Sequence, residues 1–211
     1  MASRNNSAAK NEIIEELKED HKRAKQAFRA AEKLDAEEDG EELKAIVDQT
    51  CAELEVHAQL EEELFYPAAR EALKEADLVD EAEVEHGSAK ALIAQLREMS
   101  PEDEKYAATF KVLGEYINHH VKEEETEMVP ALQGRSGVQW EELQEQMEMR
   151  REQLMSEMGL VQEADEAEEE EDENEATGAK SASARNARSS SRSGKSEERP
   201  QAAGRREKTK K

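Results

Sequence analysis

Apolar residues alternate at spacings of three and four over four consecutive stretches of this chain, which predicts an all-α fold: an up-down-up-down four-helix bundle. Two further observations complete the prediction. Short polar breaks containing glycine or proline separate the stretches, and beyond about residue 160 the apolar pattern gives way to charge. A fifth C-terminal helix and a disordered charged tail therefore follow the bundle. The expected organisation is a bundle over 11–133, an accessory helix over 138–159 and a tail over 160–211.

The first helix spans roughly 11–33, with Ile14, Leu17, His21, Ala24, Phe28 and Ala31 along its inward stripe. Asp35-Ala-Glu-Glu-Asp-Gly40 ends it. The second starts near Glu41 and reaches Pro67, kinking there or continuing to about Leu73, because proline removes a backbone donor and crowds the preceding turn. Its seam reads Leu43, Val47, Thr50, Leu54, His57, Glu61, Leu64, Ala68. The third occupies roughly 80–99 with Val79, Ala82, His86, Ala89, Ile93 and Leu96 inward. Ser100-Pro101-Glu102-Asp103 reads as an N-cap, a proline at the first helical position and an acidic third position. The fourth helix would start there and reach about Pro130, with Phe110, Leu113, Ile117, His120, Glu124 and Met128 on its stripe. Gly134-Arg-Ser-Gly137 is a break, and Ser136 would cap a fifth helix over 138–158 carrying Trp140, Leu143, Met147 and Leu154 inward, with no site residues on it.

Composition bounds the rest. The chain has 211 residues, 39% charged, 36% hydrophobic and 3% aromatic, enough for one modest core and much solvated surface. The N-terminal residues include no apolar leader and no stretch approaches membrane-spanning length, so a cytoplasmic protein without membrane contact is expected. The single cysteine, Cys51, excludes an internal disulfide framework and a thiolate cluster, and beside the seam it reads as a packing residue. Residues 163–175 form an acidic block. Residues 180–211 then carry eleven Lys or Arg against three Glu, about +8, leaving −31 on the first 179 residues of a chain whose net charge is −23. Such a polycation is expected to fold back loosely on its acidic neighbours, to aid solubility only, or to bind nucleic acid or another polyanion weakly and without sequence preference.

The chemistry lies in a repeated phrase. His57-Ala-Gln-Leu-Glu61-Glu62 and His120-Val-Lys-Glu-Glu124-Glu125 each put an imidazole and a carboxylate on one helical face one turn apart, and each histidine is followed ten residues later by a proline, Pro67 or Pro130. With His21 and His86, four helices contribute four histidines and two glutamates to an interior that should be apolar. Left unpaired, these groups would cost on the order of 10 kcal/mol, comparable with a domain's whole stability. A pair of cations offsets that cost most simply. Imidazole and carboxylate donors suit iron, manganese or zinc. His119 lies beside the stripe and reads as a surface or supporting residue; Glu62 and Glu125 are candidates to hydrogen-bond the ligands.

A lone His, a His-x3-Glu, a second lone His and a second His-x3-Glu, in that order, resemble the haemerythrin HHE cation-binding family over about residues 11–133. The resemblance implies a four-helix bundle holding two non-haem irons, with His21 and His57 on one, His86 and His120 on the other, and Glu61 and Glu124 bridging; manganese and zinc remain alternatives. It further suggests a protein that binds or processes a small oxidant (dioxygen, peroxide or nitric oxide) in a stress response, or a sensor module that signals through the fifth helix or tail without turnover. Oxygen-carrying members have a second histidine one turn beyond the first on the third helix, where this chain has Lys90. Glu83, Glu85 or a tyrosine such as Tyr116 are the candidates to complete the shell, and positions left open would admit water, hydroxide, dioxygen or peroxide.

Overall fold

The structure, a computed structural model, describes residues 2–73, 77–132, 135 and 137–160. Its helices are α1 (Ala2–Ala31), α2 (Gly40–Leu60), α3 (Tyr66–Leu73), α4 (Asp77–Arg97), α5 (Tyr106–Glu123), α6 (Val129–Leu132) and α7 (Trp140–Glu157). No strand occurs among the described residues. α2 runs into α3, and α5 into α6, through five-residue π-helical turns, Glu61–Phe65 and Glu124–Met128. The bundle therefore has four long members: α1, α2 with α3, α4, and α5 with α6. α7 lies outside them against α1, α2 and the first π turn.

Two apolar clusters fill the interior. One gathers Phe28, Leu43, Val47, Ile93, Phe110 and Leu113; the other gathers Ile13, Leu17, Leu60, Phe65, Tyr66, Met128 and the inward face of α7. Gly114 permits a close approach in the first cluster, since a Cβ there would sit 2.9 Å from ring atoms of Phe28. The buried histidines and glutamates belong to neither cluster.

Every apolar stripe residue expected on α1, α4, α5 and α7 is buried, Trp140, Leu143, Met147 and Leu154 included. Past Glu61 the expected seam fails. Leu64 and Ala68 are only partly buried, while Phe65, Tyr66, Ala69 and Leu73 point inward. The π turn is the reason. An extra residue per turn, with Tyr66 N–H donating to Glu61 O, advances the inward set by one position. The same bond joins Val129 N–H to Glu124 O. In both repeats the proline follows directly on the residue that closes the π turn, so the helix continues through Pro67 and Pro130 where an unbroken α-helix would clash.

Boundaries differ for local reasons. α1 begins nine residues before the expected position, because Ala9 and Ile13 bury against α7's side of the core and Asn6 caps that helix, its Oδ1 accepting from Trp140 N at 2.6 Å. This cap, and α7's start at Trp140, displace the expected start at 138. Ser136 lies outside the described residues, as do the acidic block and the basic segment. Ser100 does not cap α5. Its N–H donates to Asp103 Oδ2 at 2.7 Å, forming a turn, and α5 starts only at Tyr106. α4 ends at Arg97, and the two residues that follow bond back three positions in a tightened last turn.

Candidate metal centre

Helical periodicity carries the six sequence-predicted residues to one level of the bundle. His21, His57, Glu61, His86, His120 and Glu124 are all at least 94% buried. α1 supplies His21, α2 His57, α4 His86 and α5 His120, and the two glutamates are the first residues of the two π turns. Their donor atoms form two groups, each fitting within 4.8 Å: His21, His57, Glu61 and Glu124, and Glu61, His86 and His120. Glu61 alone stands in both.

All four imidazoles turn the same way, Nε2 toward the centre and Nδ1 toward an outer carboxylate. His21 Nδ1 lies 3.0 Å from Glu125 Oε1, His57 Nδ1 3.1 Å from Asp20 Oδ2, His86 Nδ1 3.1 Å from Glu62 Oε1 and His120 Nδ1 2.9 Å from Glu85 Oε2. An ionised carboxylate only accepts, so each Nδ1 carries the hydrogen and donates, the arrangement that directs Nε2 to a metal. Each carboxylate in turn meets a basic group: Glu125 meets Lys25, Glu62 Lys90, Glu85 His119, and Asp20 both Arg151 and Arg23. Lys90, the departure from oxygen carriers, thus braces the support of His86.

The inner atoms are unequally satisfied. His21 Nε2, His57 Nε2, Glu61 Oε1 and both carboxylate oxygens of Glu124 are buried without a hydrogen bond. His21 Nε2 approaches Glu124 Oε2 to 3.1 Å and His57 Nε2 approaches Glu61 Oε2 to 3.2 Å, but in orientations that do not make hydrogen bonds. In the second group, His86 Nε2 lies 3.2 Å from His120 Nε2 and 3.2 Å from Tyr66 Oη, which also reaches Glu61 Oε2 at 3.2 Å.

Burial and neighbours drive the charges apart. Burial alone would raise the Glu61 carboxyl, but the imidazoles of His57 and His86 hold it well below the usual range. Burial, reinforced by the Glu61 charge, lifts Glu124 to about 7. His57, despite burial that opposes its charge, is raised to about 10 by Glu61 and Asp20. His120 is lowered to about 4, first by burial and then by the neighbouring imidazoles, against the opposing pull of Glu61 and Glu85. Burial also pushes the Tyr66 phenol well above its ordinary value. Without a cation, burial and these neighbours favour a proton on His57 and raise the carboxyl of Glu124.

Tyr66 and Asp20 escaped the sequence reading. The shift of register at the π turn, invisible to a period of 3.5, is what brings Tyr66 inward. Asp20, beside His21, is legible only once α1 packs on α2. Glu85 supports His120 and is not an inner donor; Glu83 faces outward and pairs with Arg70, and Tyr116 is half exposed. His119 is exposed, between Glu85 and Glu123. Cys51 is buried, and burial raises its thiol to about 12, as befits a packing residue.

A cavity of about 30 Å³ adjoins the four imidazoles, walled by Ala24, Leu54, Ala89, Ile93, Ile117 and Val121, with Arg23, Glu53 and Lys90 on its solvent side.

A family model, the hemerythrin HHE cation binding domain, matches residues 12–132. The chain belongs to this family. The match covers the bundle through α6 and stops short of α7. Among solved structures, the chain is similar to a hemerythrin HHE cation binding domain-containing protein from Mycobacterium kansasii, with 28% identity, a TM-score of 0.57, and coverage of 67% of this chain and 85% of that one. No curated protein matches. Cation binding is the family's chemistry, and the donor set fits it: nitrogen and oxygen donors only, imidazoles held in one tautomer, and five buried polar atoms lacking a hydrogen bond where a cation would accept them. No described helix is long and apolar enough to cross a membrane.

Proposed function

We propose that the chain holds two non-haem irons, one in each donor group with Glu61 common to both, and that the centre binds or processes dioxygen, peroxide or nitric oxide. Glu124 would serve the His21/His57 half, and would bridge only after moving. Bound iron would supply Lewis acidity and a redox couple. Manganese and zinc are the competing metals.

The apolar-walled cavity carries this reading. At about 30 Å³ it has room for one or two water-sized molecules against the imidazoles. The chain's residues shape what happens there: the six apolar walls limit water, the outer carboxylates fix the imidazoles, and Tyr66 Oη donates to Glu61 Oε2 from 3.2 Å. The role we propose is a stress-related one in the cytoplasm, and the basic terminal segment would give a salt-sensitive contact with a polyanion.

Anaerobic loading with ferrous iron should leave about two irons per chain after desalting. Rapid mixing with oxygen, peroxide or nitric oxide should then change the visible spectrum, and catalytic consumption of peroxide or oxygen would distinguish turnover from simple binding. Iron offered and none retained would overturn the proposal. A sensor without turnover is the second reading, favoured by the contact of Arg151 on α7 with Asp20.

A further inference from the structure

The four histidine supports differ in where their bases come from. Lys25, Lys90 and His119 lie within the bundle, whereas Arg151 projects from α7, beyond the matched family domain. Its two terminal nitrogens grip both oxygens of Asp20, Nη1 to Oδ1 at 3.2 Å and Nη2 to Oδ2 at 2.8 Å, and Oδ2 is the atom that accepts from His57 Nδ1. The other base on Asp20, Arg23, is half exposed and touches only Oδ1. Asp20 is largely buried, its position set by α1.

From this geometry we infer that Arg151 is a positioning residue: α7 clasps the His21/His57 half of the centre through Arg151, Asp20 and His57, so that helix docking and occupancy of that half reinforce each other. The inference rests on the metal-centre reading above and deepens it. A guanidinium fork fixes both carboxylate oxygens, and thereby the plane of the His57 ring, in a way a single ammonium does not. The remainder of α7's attachment is apolar, through Trp140, Leu143, Met147 and Leu154, with polar contacts from Arg150 to Glu63, from Gln144 to Glu12 and from Trp140 N–H to Asn6. None of these reaches an imidazole. Because coupling between two equilibria is reciprocal, an ion that needs His57 in place must in turn strengthen the seating of α7.

The test uses the full chain and ferrous iron under anaerobic conditions, with a competing chelator to resolve the two equivalents. Arg151→Ala should weaken one equivalent by about 10- to 100-fold, the range typical of lost support behind a metal-bound imidazole, and leave the other unchanged. Arg151→Lys should restore part of the loss. Asp20→Asn should produce the same loss, and combining it with Arg151→Ala should add little, since both act through one contact. Arg150→Ala should bind iron as the unaltered protein does. In the unaltered protein, iron should slow amide hydrogen exchange in α7, a readout available even if Arg151→Ala fails to fold. Two equivalents held equally by all variants, or exchange in α7 indifferent to iron, would overturn the clasp while leaving the metal centre intact. An unaltered protein that takes up no iron would overturn both.

Discussion

The two halves of the centre are built from matching phrases and end in different states. In the His21/His57 half, four donors converge and five buried polar atoms have no hydrogen bond, counting the shared Glu61. In the His86/His120 half, the imidazoles face each other and Tyr66 touches His86. A cation entering the first half meets atoms that lack hydrogen bonds, once protons favoured on His57 and Glu124 have left; one entering the second must displace existing contacts. Local repetition thus sets ligand type, while neighbouring helices set readiness. The first half should fill first.

Breaking the shared ligand should have the largest effect. Glu61→Gln should abolish retention of both ions, whereas Glu124→Gln should cost mainly the one in the His21/His57 half; metal analysis after desalting separates the two. Equal losses would mean that Glu124 also bridges.

Next in size is the response to pH. The folded-state value of His57 is raised to about 10 from an ordinary 6.5, so its stabilisation is complete below about 6.5 and is lost as pH rises toward 10. Glu124 acts in the same direction over a lower interval, its contribution complete below about 4.5 and lost by about 7, so the fall above pH 7 belongs to His57. Thermal melting of chelator-treated protein should therefore fall between pH 7 and 10. Iron affinity should rise over the same interval, since ligand protons must leave before a cation binds. A melting temperature that climbs with pH would contradict the assigned charges.

Tyr66→Phe sharpens the contrast. Loss of its hydroxyl should lower stability by about 1 kcal/mol in denaturant melts and weaken the His86/His120 half in preference to the other. The smallest effect is expected for Lys25→Ala, because its ammonium stands 3.6 Å from Glu125 at a partly solvated site. Such contacts contribute about 0–1 kcal/mol, and iron content should be unchanged.

Much of the centre was legible because helical geometry converts sequence spacing into facing with little ambiguity. His57 and Glu61, or His120 and Glu124, share a face wherever the helix is regular, and their place on an apolar seam puts them inside. The lost register begins at Glu61 itself. A π turn has no fixed sequence signature, so Phe65 and Tyr66 could not be assigned inward by counting. Contacts between elements were equally hidden. Lys90 could be seen four residues past His86, but its role beside Glu62 depends on the packing of α4 against the second helix. Asn6 and Trp140, 134 positions apart, carry no mutual signal along the chain, yet their bond decides where α7 begins.

By itself the sequence determined the helical class, the six inward polar residues and the nitrogen and oxygen character of the donors, since each follows from residue type and period along one helix. Only the tertiary structure decided that Glu61 serves both groups, that Tyr66 belongs beside them, and that an appended helix reaches His57 through Asp20. Those depend on which helices become neighbours and on their relative rotation, and a single π turn changes that rotation without changing the pattern that announces the helix.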